Sequence, residues 1–199
     1  MPDGPRPDLP SLSRRRALRL CGLAFAVPAG GLRAQAPAAA PPLDVPYVPT
    51  PQDVAERMLR MVRVGRNDLV YDLGCGDGRL VVTAARKYGA RGVGIDIDPA
   101  RIREASANAR AARVERRVEF IVGDLFQADL SPATVVTLYL LPRLNEQLRP
   151  QLWQQLRVGA RVVSHGFDMG REWPPERTQT INGTNIYAWT ITEAHKQSA

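Results

Sequence analysis

The stretch from Asp68 to Asp98, D-L-V-Y-D-L-G-C-G-D-G-R-L-V-V-T-A-A-R-K-Y-G-A-R-G-V-G-I-D-I-D, constrains the fold more than any other part of the chain. It reads as a strand ending at Leu73, a loop carrying Gly74, Gly76 and Gly78, a helix from about Arg79 to Lys87, and a second strand ending at Asp96. Glycines at alternate positions let the backbone turn tightly from strand to helix and leave no side chain between it and a ligand. Asp96 closes the second strand, where a carboxylate can accept two hydrogen bonds from a ribose diol. The unit is therefore a candidate nucleoside-binding β-α-β.

The spacing narrows the nucleoside. A dinucleotide fingerprint needs G-x-G-x-x-G, but here the third glycine comes one residue early and Arg79 stands in its place. A phosphate-cradling loop needs Lys and then Ser or Thr after its last glycine, whereas Arg79 and Leu80 follow Gly78. Asp72 and Asp77 flank the loop and would repel a pyrophosphate while favouring a cationic ligand. An adenosyl group with a positively charged amino-acid tail satisfies these conditions.

The remaining chain supplies a full α/β domain. Thr50-Pro51-Gln52-Asp53 predicts a helix start with Thr50 as N-cap, and Val54, Met58, Leu59, Met61 and Val62 continue it as an apolar stripe. Asp98-Pro99 opens a helix to about Ala112, and Val118–Val122 is a third strand ending at Gly123-Asp124-Leu125-Phe126. Ala133–Leu140 reads as a strand buried on both faces and runs into Tyr139-Leu140-Leu141-Pro142. A helix from about Arg143 to Leu156, a strand at Arg161–Ser164, and a hairpin turning at Asn182-Gly183 complete the order. His165–Gly170 and Trp173-Pro174 form a polar-aromatic loop at the same sheet edge, with Trp173 expected beside an acceptor channel.

The net charge is +7, but six arginines and two aspartates in residues 1–36 account for +4 and leave +3 for the rest. That balance does not point to a nucleic-acid partner. Ser13-Arg14-Arg15-Arg16, a short apolar run and Ala34-Gln35-Ala36 resemble a twin-arginine export leader with a cleavage site over 1–36. Export would separate the protein from a nucleoside cofactor made in the cytoplasm, so periplasm, membrane and cytoplasmic face all stay open as locations. Residues 37–49 read as a Pro/Ala-rich linker and cover, and 50–193 as the domain. Cys21 and Cys75 are the only cysteines and lie in unrelated segments, so no disulfide is expected. Cys75 is either a reactive thiol or a small loop filler. Two histidines, His165 and His195, give metal chemistry little to work with, and no metal is expected.

D-L-G-C-G-D-G and G-I-D-I-D resemble the class I S-adenosylmethionine-dependent methyltransferases. Val45-Pro46-Tyr47-Val48-Pro49-Thr50-Pro51, the segment from Val135 to Pro142, and Arg161–Gly170 narrow the resemblance. They are similar to the lysine methyltransferases of mitochondria that act on the c-type ring protein of ATP synthase and on the adenine nucleotide translocase, and to their bacterial relatives. The resemblance implies a Rossmann-like, mostly parallel seven-stranded sheet with an antiparallel C-terminal hairpin. It implies S-adenosylmethionine as cofactor, held by Tyr47, Asp72, Gly74, Cys75, Gly76, Asp77, Gly78, Asp96, Asp124 and Leu125, with Asp124 toward the adenine amino group. It also implies a protein lysine acceptor, with membrane proteins among the candidates, and places Tyr139, His165 and Asp168 nearest the chemistry. Each of those three has a structural alternative: core aromatic, strand-end cap and Asx turn, respectively. A small-molecule methyltransferase and a non-catalytic cofactor-binding protein share the same cofactor half. The oligomeric state is not encoded in any of these features.

Asp96→Ala is expected to weaken S-adenosylmethionine binding by about 1.5–3 kcal/mol, because hydrogen bonds to a charged group are the stronger kind. Calorimetric titration checks it, and unchanged affinity would mean the second strand is misplaced.

Overall fold

The structure, a computed structural model, describes residues 48–197. The proposed leader, the linker up to residue 47 and Tyr47 itself lie outside the described residues. Helix α1 (Gln52–Met61) is followed by β1 (Leu69–Leu73), α2 (Arg79–Tyr88), β2 (Arg91–Asp96), α3 (Pro99–Ala111) and β3 (Val118–Val122). A 3-10 turn at Leu125–Gln127 leads to β4 (Val135–Leu138), α4 (Pro142–Gln155), β5 (Arg161–His165), β6 (Arg177–Ile181), β7 (Thr184–Thr190) and α5 (Glu193–Gln197).

The strands form one sheet in the order β3-β2-β1-β4-β5-β7-β6. All pairs from β3 to β5 are parallel, and β7 runs antiparallel to both β5 and β6. The chain leaves β1 toward β2 and leaves β4 toward β5 in opposite directions. The crevice at the carboxyl ends of these two neighbours is where open α/β sheets place ligands.

Alternation along each strand divides the core between two faces. Tyr71, Leu73, Val136, Leu138 and Val162 pack with Leu148, Leu152 and Trp153 of α4 on one face. Val70, Val135 and Val163 pack with Met58 and Leu59 of α1 and Leu80 and Ala84 of α2 on the other. The strands between these layers are nearly all apolar because neither side meets water. No helix among the described residues is long and apolar enough to cross a membrane.

The sequence-based boundaries need two corrections. Thr50 is not the N-cap of α1: Pro51 occupies that position, and the Thr50 side chain turns inward to His165. Strand β4 spans only Val135–Leu138, because Ala133 and Thr134 are drawn into a turn by the Ala133 N–H bond to the Leu130 carbonyl. Tyr139 follows directly on the strand and lines the crevice. The Asn182-Gly183 turn has positive φ at both residues, 50° and 78°, the requirement of a type I′ hairpin.

Gly92 and Gly94 flatten the surface of β2. A Cβ on Gly94 would come within 2.6 Å of the Phe120 ring and 2.9 Å of Cys75 Sγ. Gly94→Ala is therefore expected to lower stability by about 1–3 kcal/mol through overpacking, read as a lower urea midpoint at unchanged slope.

Candidate active site

The glycine loop is built by the backbone of β2. The amides of Gly74 and Cys75 both donate to the Ile95 carbonyl, at 2.8 and 3.0 Å, and Gly78 N–H closes a turn onto the Cys75 carbonyl at 2.9 Å. Gly74, Gly76 and Gly78 all have positive φ, at 78°, 53° and 75°, which an L side chain would strain. Asp96 then clasps the loop: Oδ2 accepts from Gly76 N–H at 2.8 Å, and Oδ1 accepts from Asp98 N–H at 2.9 Å. Each carboxylate oxygen retains a lone pair for a ligand. Asp98 in turn caps α3, accepting from Ala100 N–H at 2.7 Å.

Above this loop lies a cavity of about 350 Å³. It is lined by the carboxylates of Asp72 and Asp96 from two strand ends and of Asp77 from the glycine loop, and their fields interact. Asp72, buried in β1, accepts from the Thr137 hydroxyl at 2.6 Å across the β1–β4 register. Burial pushes its pKa up from 3.8 to about 7, against the pull of Thr137, and the charges of Asp96 and Asp77 raise it further. Asp77 is bound by the Arg79 guanidinium, with Nη2 at 2.6 Å and Nε at 2.9 Å. The other terminal nitrogen of Arg79, Nη1, donates to the Thr50 carbonyl at 2.7 Å. Burial, with the charges of Asp72, Asp96 and Asp77, pushes the Cys75 thiol above its ordinary range and favours the protonated form. Its buried place, with Sγ beside Gly94, fits the filler reading of Cys75.

The opposite wall is apolar and aromatic. Tyr139, Leu141, Leu144 and Phe167 line it, and Phe126 and Leu125 flank the far end. The Tyr139 ring lies 3.9 Å from that of His165 and 6.4 Å from that of Phe167, tilted by 33° and 20°. The loop carrying Phe167 is fastened from below by Asn145 of α4, whose side-chain amide donates to the Phe167 and Asp168 carbonyls at 3.2 and 3.1 Å.

Among the site residues expected from sequence, Asp72, Gly74, Cys75, Asp77, Asp96, Asp124, Leu125 and Tyr139 all line this cavity. Gly76 and Gly78 lie just outside it: Gly76 serves Asp96, and a Cβ on Gly78 would meet Phe120 at 2.6 Å and Ala105 at 2.9 Å. Asp124 also caps the 3-10 turn, accepting from Phe126 N–H at 2.9 Å. His165 and Asp168 are not in the lining. His165 is buried behind Tyr139 with Nδ1 engaged by Thr50, and burial lowers its pKa. Asp168 is exposed and spends Oδ1 on Gly170 N–H at 3.0 Å, an Asx turn. Trp173 does not line a channel: it is 3% exposed, packed between Trp153 and Trp189, and its carbonyl accepts from Trp189 Nε1. Sequence reasoning missed Arg79, Thr50 and Leu144. The D-G-R triplet at the loop end was the available signal for Arg79.

A nucleoside-sized cavity with a ribose-height carboxylate, an anionic floor and an apolar wall fits S-adenosylmethionine, and with this sheet order it defines a class I methyltransferase. A sequence model of the ANTKMT methyltransferase domain matches residues 72–177. A Saccharolobus islandicus protein named protein-lysine N-methyltransferase is 45% identical over 157 residues, covering 76% of this chain and 96% of the relative. The Mus musculus adenine nucleotide translocase lysine N-methyltransferase is 35% identical over 150 residues and covers 75% of this chain, which spans 64% of that enzyme. Among solved structures, one described as an RNA methyltransferase from Salinibacter ruber, in complex with S-adenosyl-L-homocysteine, is 57% identical. It covers 73% of this chain and 95% of its own, with a TM-score of 0.72. The chain belongs to the ANTKMT methyltransferase family and is an S-adenosylmethionine-dependent methyltransferase.

The raised Asp72 pKa generates a pH prediction. Because it lies above the ordinary 3.8, its contribution favours the folded state most in acid and declines as pH rises toward about 7. A cationic ligand has the opposite preference and binds the ionised form. Affinity for S-adenosylmethionine is therefore expected to rise below pH 7 by up to about one decade per pH unit, then level off. Asp72→Asn should abolish this slope, weaken binding at pH 8 and leave the melting temperature at pH 8 no lower than wild type. Titration calorimetry and thermal melting across pH 5.5–8.5 check both; an unchanged slope in the variant would assign the proton elsewhere.

Proposed function

We propose that this protein is a protein-lysine N-methyltransferase. The observation that carries the reading is the apolar-aromatic wall of Tyr139, Leu141, Leu144 and Phe167 facing the carboxylate floor within one cavity. A lysine ammonium has no lone pair, so its methylation requires the neutral amine, which an apolar wall favours by desolvation. The bound cofactor supplies an electrophilic methyl group on a sulfonium. Asp96 is assigned to the ribose, Asp124 to the adenine amino group, and Asp72 to the cationic tail. Tyr139 is the acceptor-facing residue: its ring limits the approach to one line and its hydroxyl can accept a hydrogen bond from the incoming nitrogen. Leu144 and Phe167 exclude water from that line. The amine's displaced proton leaves toward solvent at the mouth.

The rim supports a protein acceptor over an RNA one. Val48, Ile97 and Leu141, respectively 57%, 38% and 42% exposed, all line the cavity. Exposed apolar side chains gathered at a site mark a protein-facing surface, and the two arginines of the lining are engaged by carboxylates, Arg79 by Asp77 and Arg101 by Asp98 and Glu104. The name of the Saccharolobus islandicus relative supports the same reading, the description of the Salinibacter ruber structure names RNA instead, and the experiment below separates the two.

The test is transfer of an isotope-labelled methyl group from S-adenosylmethionine to protein and RNA fractions of the source cells, followed by mass spectrometry. Methyl-lysine peptides are the expected product; label found only in nucleotides would overturn the reading. Tyr139→Ala should lower the turnover number by about 100-fold, the scale of a misplaced acceptor, while cofactor affinity stays within about threefold.

A further inference from the structure

Thr50 is 4% exposed although Val48, Pro49 and Pro51 around it are all exposed. Its two polar groups reach opposite sides of the cavity. The carbonyl accepts from Arg79 Nη1 at 2.7 Å, and Arg79 grips Asp77 in the glycine loop. The hydroxyl meets His165 Nδ1 at 3.1 Å, across 115 residues of chain. The His165 imidazole stacks 3.9 Å behind Tyr139, which lines the cavity. A continuous chain, Asp77–Arg79–Thr50–His165–Tyr139, thus runs from the cofactor loop to the acceptor-side wall and passes through the segment Val48–Thr50, which itself lines the site.

We propose that Thr50 is a positioning residue that couples cofactor occupancy to the placement of Tyr139. A cofactor seated on the glycine loop holds Asp77 and Arg79 in place, Arg79 holds the Thr50 backbone, and the Thr50 hydroxyl sets the imidazole on which Tyr139 rests. His165 belongs to this chain as a support and not as a proton relay. A hydroxyl is required at position 50 because it alone reaches His165, while the backbone carbonyl holds Arg79. The β-branched shape alone would fill the same space without a link. Burial lowers the His165 pKa and favours the neutral imidazole, whose Nδ1 pairs with the hydroxyl in either tautomer. This inference rests on the cofactor assignment and is independent of the acceptor.

The test compares wild type with Thr50→Val, which keeps the shape and removes the hydroxyl, and Thr50→Ser, which keeps the hydroxyl. The probe is S-adenosylhomocysteine. Amide exchange over Val48–Glu56 should slow on its addition to the wild type by about tenfold, as expected for a segment closed by local contacts. Thr50→Val should lose this slowing and bind the probe about tenfold more weakly. Its His165 Cε1 proton signal, shifted by the Tyr139 ring, should move toward the free-imidazole position. Thr50→Ser should restore all three readouts to within about twofold of wild type. Arg79→Lys retains a charge for Asp77 but lacks the planar fork that also reaches the carbonyl, and should lose the exchange slowing with the hydroxyl intact. Wild-type exchange slowing and an unmoved His165 signal in Thr50→Val would overturn the proposal. So would a Thr50→Ser variant no better than Thr50→Val, since shape and not the hydroxyl would then be what matters.

Discussion

One carboxylate holds the site together. Asp96 ends the second strand and accepts from the backbone of two loops, Gly76 in the loop after the first strand and Asp98 in the loop after its own. Two loops that belong to different β-α units thereby share one anchor, and the distance between them stops being a free variable. The glycines matter because of this anchor: their positive φ values bring the amides to the oxygens, and the small residues of the second strand let Phe120 and Cys75 settle behind. Loss of the carboxylate therefore costs more than a ligand contact, since it also unties the loop that shapes the cavity.

The electrostatics of the floor follow from putting two acids at neighbouring strand ends and a third in the glycine loop between them and α2. They are relieved in different ways. Asp77 is matched by the Arg79 guanidinium, Asp96 is held by amide donors, and Asp72 has one hydroxyl and deep burial, so it rises to a pKa of about 7. The result is a site whose charge is adjusted by the ligand. A cation entering the cavity completes what the protein leaves unfinished, while an anion would meet a floor that is already crowded. This separates the site from phosphate-binding glycine loops of similar outline.

Much of the fold was legible because its signals are local. The glycine loop, the third strand at Val118–Val122, the Asp98-Pro99 helix start and the Asn182-Gly183 hairpin each depend on a few adjacent residues, and the family resemblance supplied the sheet around them. The failures have one cause in common. Thr50 carries the local pattern of an N-cap, but a partner 115 residues away takes its hydroxyl and leaves the cap to Pro51. Arg79 read only as a departure from a dinucleotide motif, although that departure is what supplies a partner for Asp77. Trp173 sits in a loop of polar residues and suggested an exposed channel, yet it belongs to a tryptophan cluster assembled from a helix, a loop and a late strand. Side chains whose meaning lies in tertiary contacts carry no mark of it in their neighbourhood.

The position of Cys75 has a consequence for its own chemistry. Its sulfur is inside the cofactor loop, yet it is buried and ringed by carboxylates that favour its protonated form. Oxidants and thiol-directed electrophiles need a thiolate they can reach, and this site offers none. The one sulfur in the cofactor loop is therefore shielded by the fold itself, and reagents reach it only when the loop opens.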